Sequence, residues 1–313
     1  MAALGYLLPT REAVMGGDPS TGRLLALAER AEHVGYDGLW VGDSLLARPR
    51  HEPLTLLAAV AARTRRTRLG TAVLLPALRN PVVLAQAVAT LDRIAEGRLV
   101  LGVGVGADTP ASRAEFAAAG VPFEQRVGRF VHGLELCRRL WTGEPVEWDG
   151  PYWTVTGQVL EPTPHRPGGP PLWGGGIAVA ALERAGRRYD AWFQIGGEAD
   201  GLRDGLATVR AAAETAGREP SAVGAAAYVT LSLDDDRARA EAALEAFLGA
   251  YYAPAPGSLM RRVQNCYAGP VAGVGGYLAE LVAAGADHLC VRLCADHERN
   301  LEAVAAAWAA TAS

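Results

Sequence analysis

The segment GYDGLWVGDSLLARPRHEP, Gly35 to Pro53, starts as an alternating β-branched and aromatic strand and stops at Gly42-Asp43-Ser44, after which come Arg48, Arg50 and His51. A carboxylate, a hydroxyl, guanidiniums and an imidazole at the end of a buried strand are the groups that orient donors, balance charge and move protons. Asp43, Ser44 and His51 are therefore the candidate catalytic residues. Helix capping or loop fixing is the competing role for Asp43, and a satisfied surface imidazole is the competing role for His51. Arg79 and Asn80 occupy the same place after the following strand pattern. A second constellation is PPLWGGGIAVAALERAG, in which Gly174-Gly175-Gly176 separate a strand from a helix that starts at about Ile177. Backbone N–H groups at a helix N-terminus form an anion site whose common occupant is phosphate; a tight turn is the alternative. In VLGVGVGAD the glycines Gly102, Gly104 and Gly106 alternate, which strips side chains from one face of a strand and admits something flat or extended.

These groups need elements that carry them to one place. LGYLLP reads as a short strand, and STGRLLALAERAEHVG sets Leu24, Leu27, Ala28 and Ala31 at helical spacing, with Ser20 or Thr21 as cap and Gly35 as stop. YDGLWVGD, TRLGTAVLL and RLVLGVGVG are further strands, separated by the helices EPLTLLAAVAARTR and PVVLAQAVATLDRIAEG. After the amphipathic helix EQRVGRFVHGLELCRRLW, the stretch VEWDGPYWTVTG predicts a small hairpin turning at Asp149-Gly150. The alternation resumes with strand PPLWGG, helix IAVAALERAGRR, strand DAWFQIG, helix ADGLRDGLATVRAAAETAG and strand GAAAYVTLSL. A long helix, DDDRARAEAALEAFLGAYY, then leads into a Pro/Gly-broken stretch to Gly269. Helix VGGYLAELVAAG, strand ADHLCVRL and a helix from about Glu298 follow.

Eight strands, each followed by helical material, give the order of an α/β protein of the (β/α)8 TIM barrel type. Residues 1–313 are read as one barrel domain with an inserted hairpin and a variable lid segment near the C-terminus. An open doubly wound sheet uses the same units, but the third glycine of its G-x-G-x-x-G fingerprint is missing and no linker divides the chain. Barrel strand ends form one rim that carries ligand and catalytic groups, so Asp43, Ser44, Arg48, Arg50, His51, Arg79 and Asn80 are expected on it.

Half of the 313 residues are hydrophobic and a fifth are charged, enough for a large core. A net charge of -4 argues against a nucleic-acid binder, and the run Arg63 to Arg68 reads as a solvated turn between a helix and a strand. No apolar run approaches the roughly 20 residues of a membrane span, and the first residues lack a signal-peptide pattern; no membrane association and a cytoplasmic location are expected. Cys137, Cys266, Cys290 and Cys294 show no C-x-x-C and no histidine at zinc-like spacing, so free thiols are expected and no metal.

GYDGLWVGDS, RLGTAV with LRNPVVLAQAVATLDRIAEGRLVLGVGVGA, and PPLWGGGIAVAALERAG resemble the luciferase-like monooxygenase superfamily, barrel enzymes that bind reduced FMN or coenzyme F420. The resemblance runs from Gly5 to the last strand, and Leu91 to Gly106 is its most specific part. It implies that Gly174, Gly175 and Gly176 with Ile177 form the cofactor's phosphate loop. It also implies a non-prolyl cis peptide at Ala72-Val73 bulging behind the ring, Gly104, Gly106 and Ala107 beside the ring and ribityl chain, and Asp43 at the rim. Many members have a histidine directly after the position of Asp43, where this chain has Ser44, and one deazaflavin branch has a glutamate where it has Ala107. Proton transfer then comes from another group, or the reaction needs no strong base.

Coenzyme F420 carries carbon in place of the flavin's reactive nitrogen, so it disfavours oxygen activation and favours hydride transfer to or from a small organic substrate. The LGTAV step and the compact length favour that branch; an FMNH2- and O2-dependent monooxygenase and a non-catalytic flavin-binding protein are the alternatives. The expected partners are the small-molecule substrate, a separate reductase supplying reduced cofactor, and a second copy of the chain in a homodimer. Arg48, Arg79, Tyr252 and Arg261 are the candidate substrate contacts, with Tyr251, Tyr252, Met260 and Tyr267 as an aromatic lid; a disordered or oligomer-facing loop is the alternative for that stretch. Trp40, Trp173 and Trp192 are read as core or pocket floor, and Arg292 as facing the barrel mouth or held in a buried ion pair.

Overall fold

The computed structural model describes residues 2–312. Its strands are β1 (Ala3–Leu7), β2 (Gly38–Val41), β3 (Arg68–Leu74), β4 (Leu99–Val103), β5 (Val146–Asp149), β6 (Thr154–Gln158), β7 (Leu172–Gly175), β8 (Ala191–Gln194), β9 (Gly224–Leu233), β10 (Asn265–Gly269) and β11 (His288–Leu293). Eight of them run parallel in the ring β1-β2-β3-β4-β7-β8-β9-β11, closed by the pairing of β11 with β1. Helices between the strands cover the outside, so the fold is the expected TIM barrel. β5 and β6 form the expected antiparallel hairpin, but its turn is a four-residue loop closed by Gly150 N–H donating to Trp153 O at 3.1 Å.

The barrel interior is filled from inward positions on successive strands: Leu7, Trp40, Val100, Trp173, Ala191, Phe193, Ala226, Tyr228 and Cys290. Trp40 is fully buried, and its ring lies 5.0 Å from that of Trp173 and 5.5 Å from that of Phe193. Its indole N–H donates to His288 Nε2 at 2.9 Å. A Cβ at Gly5, Gly38 or Gly70 would run into the Trp40 ring, so three strands forgo side chains to admit this one. Trp192 instead points outward and donates from Nε1 to Gly176 O at 2.8 Å, tying the strand to the loop after β7.

Four boundaries differ from the expectation. The ladder continues through Gly174 and Gly175, which pair with Trp192 and Phe193, so only Gly176 lies in the turn, and the helix begins at Val179 with Ala178 as its cap. β4 ends at Val103, and Gly104 N–H donates to Leu74 O across a register shift in the β3–β4 ladder. A short helix, Thr10–Met15, follows β1. The Pro/Gly-broken stretch contains a helix at Gly257–Val263 and then β10, which pairs with Val229 to Leu233 of β9, beyond the end of β8's pairing at Ala227.

Burial holds the His288 imidazole down at about 3, below its ordinary 6.5. The unfolded chain takes up this proton near pH 6.5 and the folded chain only near 3, so stability should fall with pH across that window, by up to about 1.4 kcal/mol per unit. His288→Gln keeps an acceptor for Trp40 and removes the titration. Unfolding midpoints measured from about pH 6.5 down to about pH 4.5 should therefore drop less steeply in the variant than in the wild type.

Candidate active site

The β3–β4 register shift lies between Thr71 and Leu74, and within it the Ala72–Val73 peptide is cis. Both residues are half-buried and cap the interior aromatic cluster, which places this peptide at the barrel mouth. Three side-chain-free positions, Gly102, Gly104 and Gly175, lie against Val73. A Cβ on Gly104 would press within 2.8 Å of Val73 Cγ2, and one on Gly175 would reach Val73 Cγ1 and Val103 O at 3.4 Å. The result is a cradle with a peptide floor and glycine walls, which fits a planar ring. Beyond Gly175 the chain turns through Gly176, at φ 128°, into the ten-residue helix Val179–Arg188. The backbone N–H groups of Gly176, Ile177 and Ala178 donate no hydrogen bond among the described residues. Unpartnered amides at a helix N-terminus fit a phosphate on the ring's tail. Ile177 is 62% exposed beside them, Gly106 turns at φ 81° at the opposite edge, and Ala107 is exposed. Gly174 faces the other way, against Tyr189.

The carboxylate of Asp43 is fully buried and fully engaged. Arg79 binds it through both terminal nitrogens, at 2.6 and 3.0 Å, and Leu75 N–H donates to it at 2.8 Å. Arg79 also reaches Glu52 at 3.1 Å, which caps the helix Pro53–Arg63. Asp43 therefore anchors the chain immediately after the cis peptide, the loop-fixing role weighed against catalysis. Ser44 donates to Glu115 at 2.7 Å and accepts from Arg48 N–H at 2.9 Å. Glu115 also collects Leu46 N–H and Ala47 N–H, at 2.7 and 3.1 Å. The hydroxyl and this buried glutamate together shape the loop that presents Arg48. His51 pairs through Nε2 with Pro19 O at 2.7 Å, and its Nδ1 is buried without a partner among the described residues.

Those two arginines meet the end of the helix Arg237–Tyr252. Arg48 lies over the Tyr252 ring at 4.8 Å, and Arg50 donates to Tyr251 Oη at 3.2 Å. Arg292, fully buried in β11, donates to Thr230 Oγ1 at 2.8 Å, Gln264 Oε1 at 3.1 Å and Tyr252 Oη at 3.2 Å. Its guanidinium sits among the rings of Tyr228, Phe247, Tyr251 and Tyr252, in place of the expected alternative of a buried ion pair. Of the expected lid, Tyr251 and Tyr252 are at the mouth. Met260 packs instead with Leu244, Leu248 and Cys266, and Tyr267 donates to Pro270 O at 2.6 Å. Arg261 pairs with Glu241 at 3.2 Å and Arg79 with Asp43 at 2.6 Å.

Sequence reasoning missed Glu115, Glu52, Arg11, Gln264 and Thr230, because each meets its partner only through the closed ring. Among the described residues no group of three or more histidine, cysteine, aspartate or glutamate side chains is placed to hold a metal, and no helix is long and apolar enough to cross a membrane.

The luciferase-like monooxygenase family model matches residues 2–311. The F420-dependent glucose-6-phosphate dehydrogenase of Amycolatopsis mediterranei is 34% identical over 229 residues, 69% of this chain and 67% of its own. The chain spans only 65–67% of the length of several such dehydrogenases that it matches. Two solved structures share the fold over 99% of the chain: an F420-dependent secondary alcohol dehydrogenase in complex with an F420-acetone adduct, with 99% of its own chain covered (TM-score 0.84, 22% identity), and the monooxygenase RslO1 of Streptomyces bottropensis, with 100% covered (TM-score 0.81, 23% identity).

Because Asp43 acts on Leu75 and Arg79, Asp43→Asn should destabilise the fold by about 2–3 kcal/mol and loosen the segment that follows the cis peptide. Urea unfolding checks the first effect. Proteolysis or hydrogen exchange at residues 72–79 checks the second.

Proposed function

The chain belongs to the luciferase-like monooxygenase family, and from that premise we propose that it is an oxidoreductase that binds coenzyme F420 at the barrel mouth and exchanges hydride with a small organic substrate. The observation that carries this reading is the cradle of Ala72, Val73, Gly104 and Gly175, a flat side-chain-free surface leading directly to unpartnered amides at Gly176, Ile177 and Ala178. The F420-dependent relatives at 34–36% identity support the choice of cofactor.

When bound, the cofactor supplies the hydride-carrying carbon. Val73 backs the ring, and the wall glycines allow it to approach the strand ends. The amides after Gly175 hold the tail phosphate, and the Trp40–Trp173–Phe193 layer beneath keeps water from below. Asp43 and Ser44 act as positioning residues through Leu75, Arg79 and Glu115. The Tyr252 hydroxyl accepts from Arg292, which leaves its own proton for a substrate oxygen. Unpaired cysteines accord with a reducing compartment, the cytoplasm in this proposal. We also propose a homodimer built on the helix Pro81–Ile94, where Val83 is 65% exposed and Val82 is 41% exposed; sedimentation as a monomer at micromolar concentration would remove this claim.

The test of the cofactor reading is titration of the purified protein with coenzyme F420 and, separately, with FMN. Saturable binding of coenzyme F420 at least tenfold tighter than FMN supports the reading. The reverse order points to an FMN-dependent monooxygenase served by a separate reductase, and binding without turnover of any substrate points to a non-catalytic carrier. Gly175→Asp should cost at least about tenfold in cofactor affinity, about 1.4 kcal/mol. Its Cβ meets tolerable contacts at 3.4 Å, while its carboxylate projects into the cradle. Unchanged affinity in the folded variant would put the ring elsewhere.

A further inference from the structure

Lysine is absent from this protein and all 30 Lys-or-Arg positions are arginine, so its cationic side chains are guanidiniums and, when protonated, imidazoles. Structural arginines in this fold are well supplied with acceptors: Arg98 donates to Thr64 Oγ1, Thr67 O, Ala61 O and Thr64 O, all within 3.1 Å. The arginines at the mouth are unevenly supplied: Arg292 donates to Thr230, Gln264 and Tyr252, and Arg50 to Arg48 O and Tyr251, whereas the guanidiniums of Arg11 and Arg48 make no hydrogen bond among the described residues. Arg11, Arg48, Arg50 and Arg292 converge on Tyr251 and Tyr252, whose ring centroids are 4.8 Å apart, and none has a carboxylate within 4.0 Å among the described residues. Arg11 is 8% exposed, lies over the Tyr251 ring at 5.0 Å, and has Nε and Nη1 buried without partners. The guanidinium of Arg48 makes no hydrogen bond or ion pair among the described residues, although it is half-buried beside the entrance. The carboxylate whose charge Arg11, Arg50 and Arg292 feel is Glu12, and its Oε1 is likewise buried and unpartnered.

Cations concentrated in a poorly hydrated pocket repel one another and lose solvation, and aromatic faces offset only part of that cost. An anion bound between these guanidiniums would offset that cost. We propose that Arg48 and Arg50 form a subsite for an anionic group on the substrate, a phosphate or carboxylate, with Arg11 and Arg292 behind the tyrosines reinforcing the field. This deepens the cofactor reading and rests on it for the location of the reacting ring. A Cβ on Gly42 would run into Arg50 and would lie 3.7 Å from Ala72 O, so the guanidinium stands beside the cis peptide that floors the cradle. The glycine turn after β7 is separated from β2 by β3 and β4, so the subsite and the cofactor's phosphate site flank the cradle from different sides. Guanidinium forks match phosphate and carboxylate oxygens in pairs.

The test titrates inorganic phosphate into cofactor-free protein by calorimetry, using the wild type, Arg48→Gln, Arg50→Gln, Arg48→Lys and Gly175→Asp. The expected result is phosphate binding that weakens at least tenfold in both glutamine variants, recovers in part in Arg48→Lys, and persists in Gly175→Asp. Three results would overturn the proposal: no binding by the wild type, unchanged affinity in both glutamine variants, or loss in Gly175→Asp alone, which would assign the phosphate to the cofactor's turn. Coenzyme F420 and FMN titrations on the same proteins separate the two readings. Binding of neither cofactor, with Arg48-dependent phosphate binding intact, removes the cofactor reading and leaves the anion subsite standing. Retained cofactor binding in Arg48→Gln confirms that this variant is folded.

Discussion

The barrel is organised around one indole. Trp40 occupies the interior where β1, β2 and β3 would otherwise place side chains, and the absence of Cβ atoms at Gly5, Gly38 and Gly70 is the condition for its entry. Close packing allows no vacancy of this size to be left or overfilled, so the three glycines and the tryptophan constrain one another. His288 completes the arrangement by accepting the indole proton. Trp173 and Phe193 lie against the same ring, and above this dry layer the strand ends are free of packing duty. They carry glycine, a cis peptide and cations in its place.

The polar groups at the rim divide the work between holding and meeting. Asp43, Arg79 and Glu52 form a chain of charges that joins the end of β2 to the chain after β3 and to a helix start. Ser44 and Glu115 tie the next loop to the helix Pro110–Ala118. Both sets are saturated by protein partners and present little to a ligand. Around Tyr251 and Tyr252, Arg50 and Arg292 are held by hydroxyl, amide and carbonyl oxygens, whereas the guanidiniums of Arg11 and Arg48 make no hydrogen bond among the described residues, and none of the four has a carboxylate within 4.0 Å there.

Local patterns made most of the barrel readable. Alternation and helical spacing place the eight ring strands and the hairpin, because each element buries one face and shows it in its own sequence. β10 was hidden: a five-residue run containing Asn265 and Gly269 has little strand character, and it is a strand because the upper half of β9 lacks a partner there. Asp43 was found by its position at a strand end, but its role depends on Arg79, 36 residues away, and that of Ser44 on Glu115, 71 residues away. Such pairings are set by closure of the ring. The same holds for His51, whose Nε2 pairs with Pro19 O, 32 residues away.

The lid segment leaves the barrel at Leu233 and returns at Asn265, which pairs with Val229 on the strand it left. Asp234 N–H bonds Gly269 O at 3.2 Å, so departure and return are laced side by side on one strand. Everything between them, including Tyr251 and Tyr252, is an excursion with fixed, adjacent ends. Such a segment behaves as an exchangeable cassette: its length and composition can drift while the ring keeps its closure. The foundations of the barrel thus do not depend on how this single stretch of chain is written.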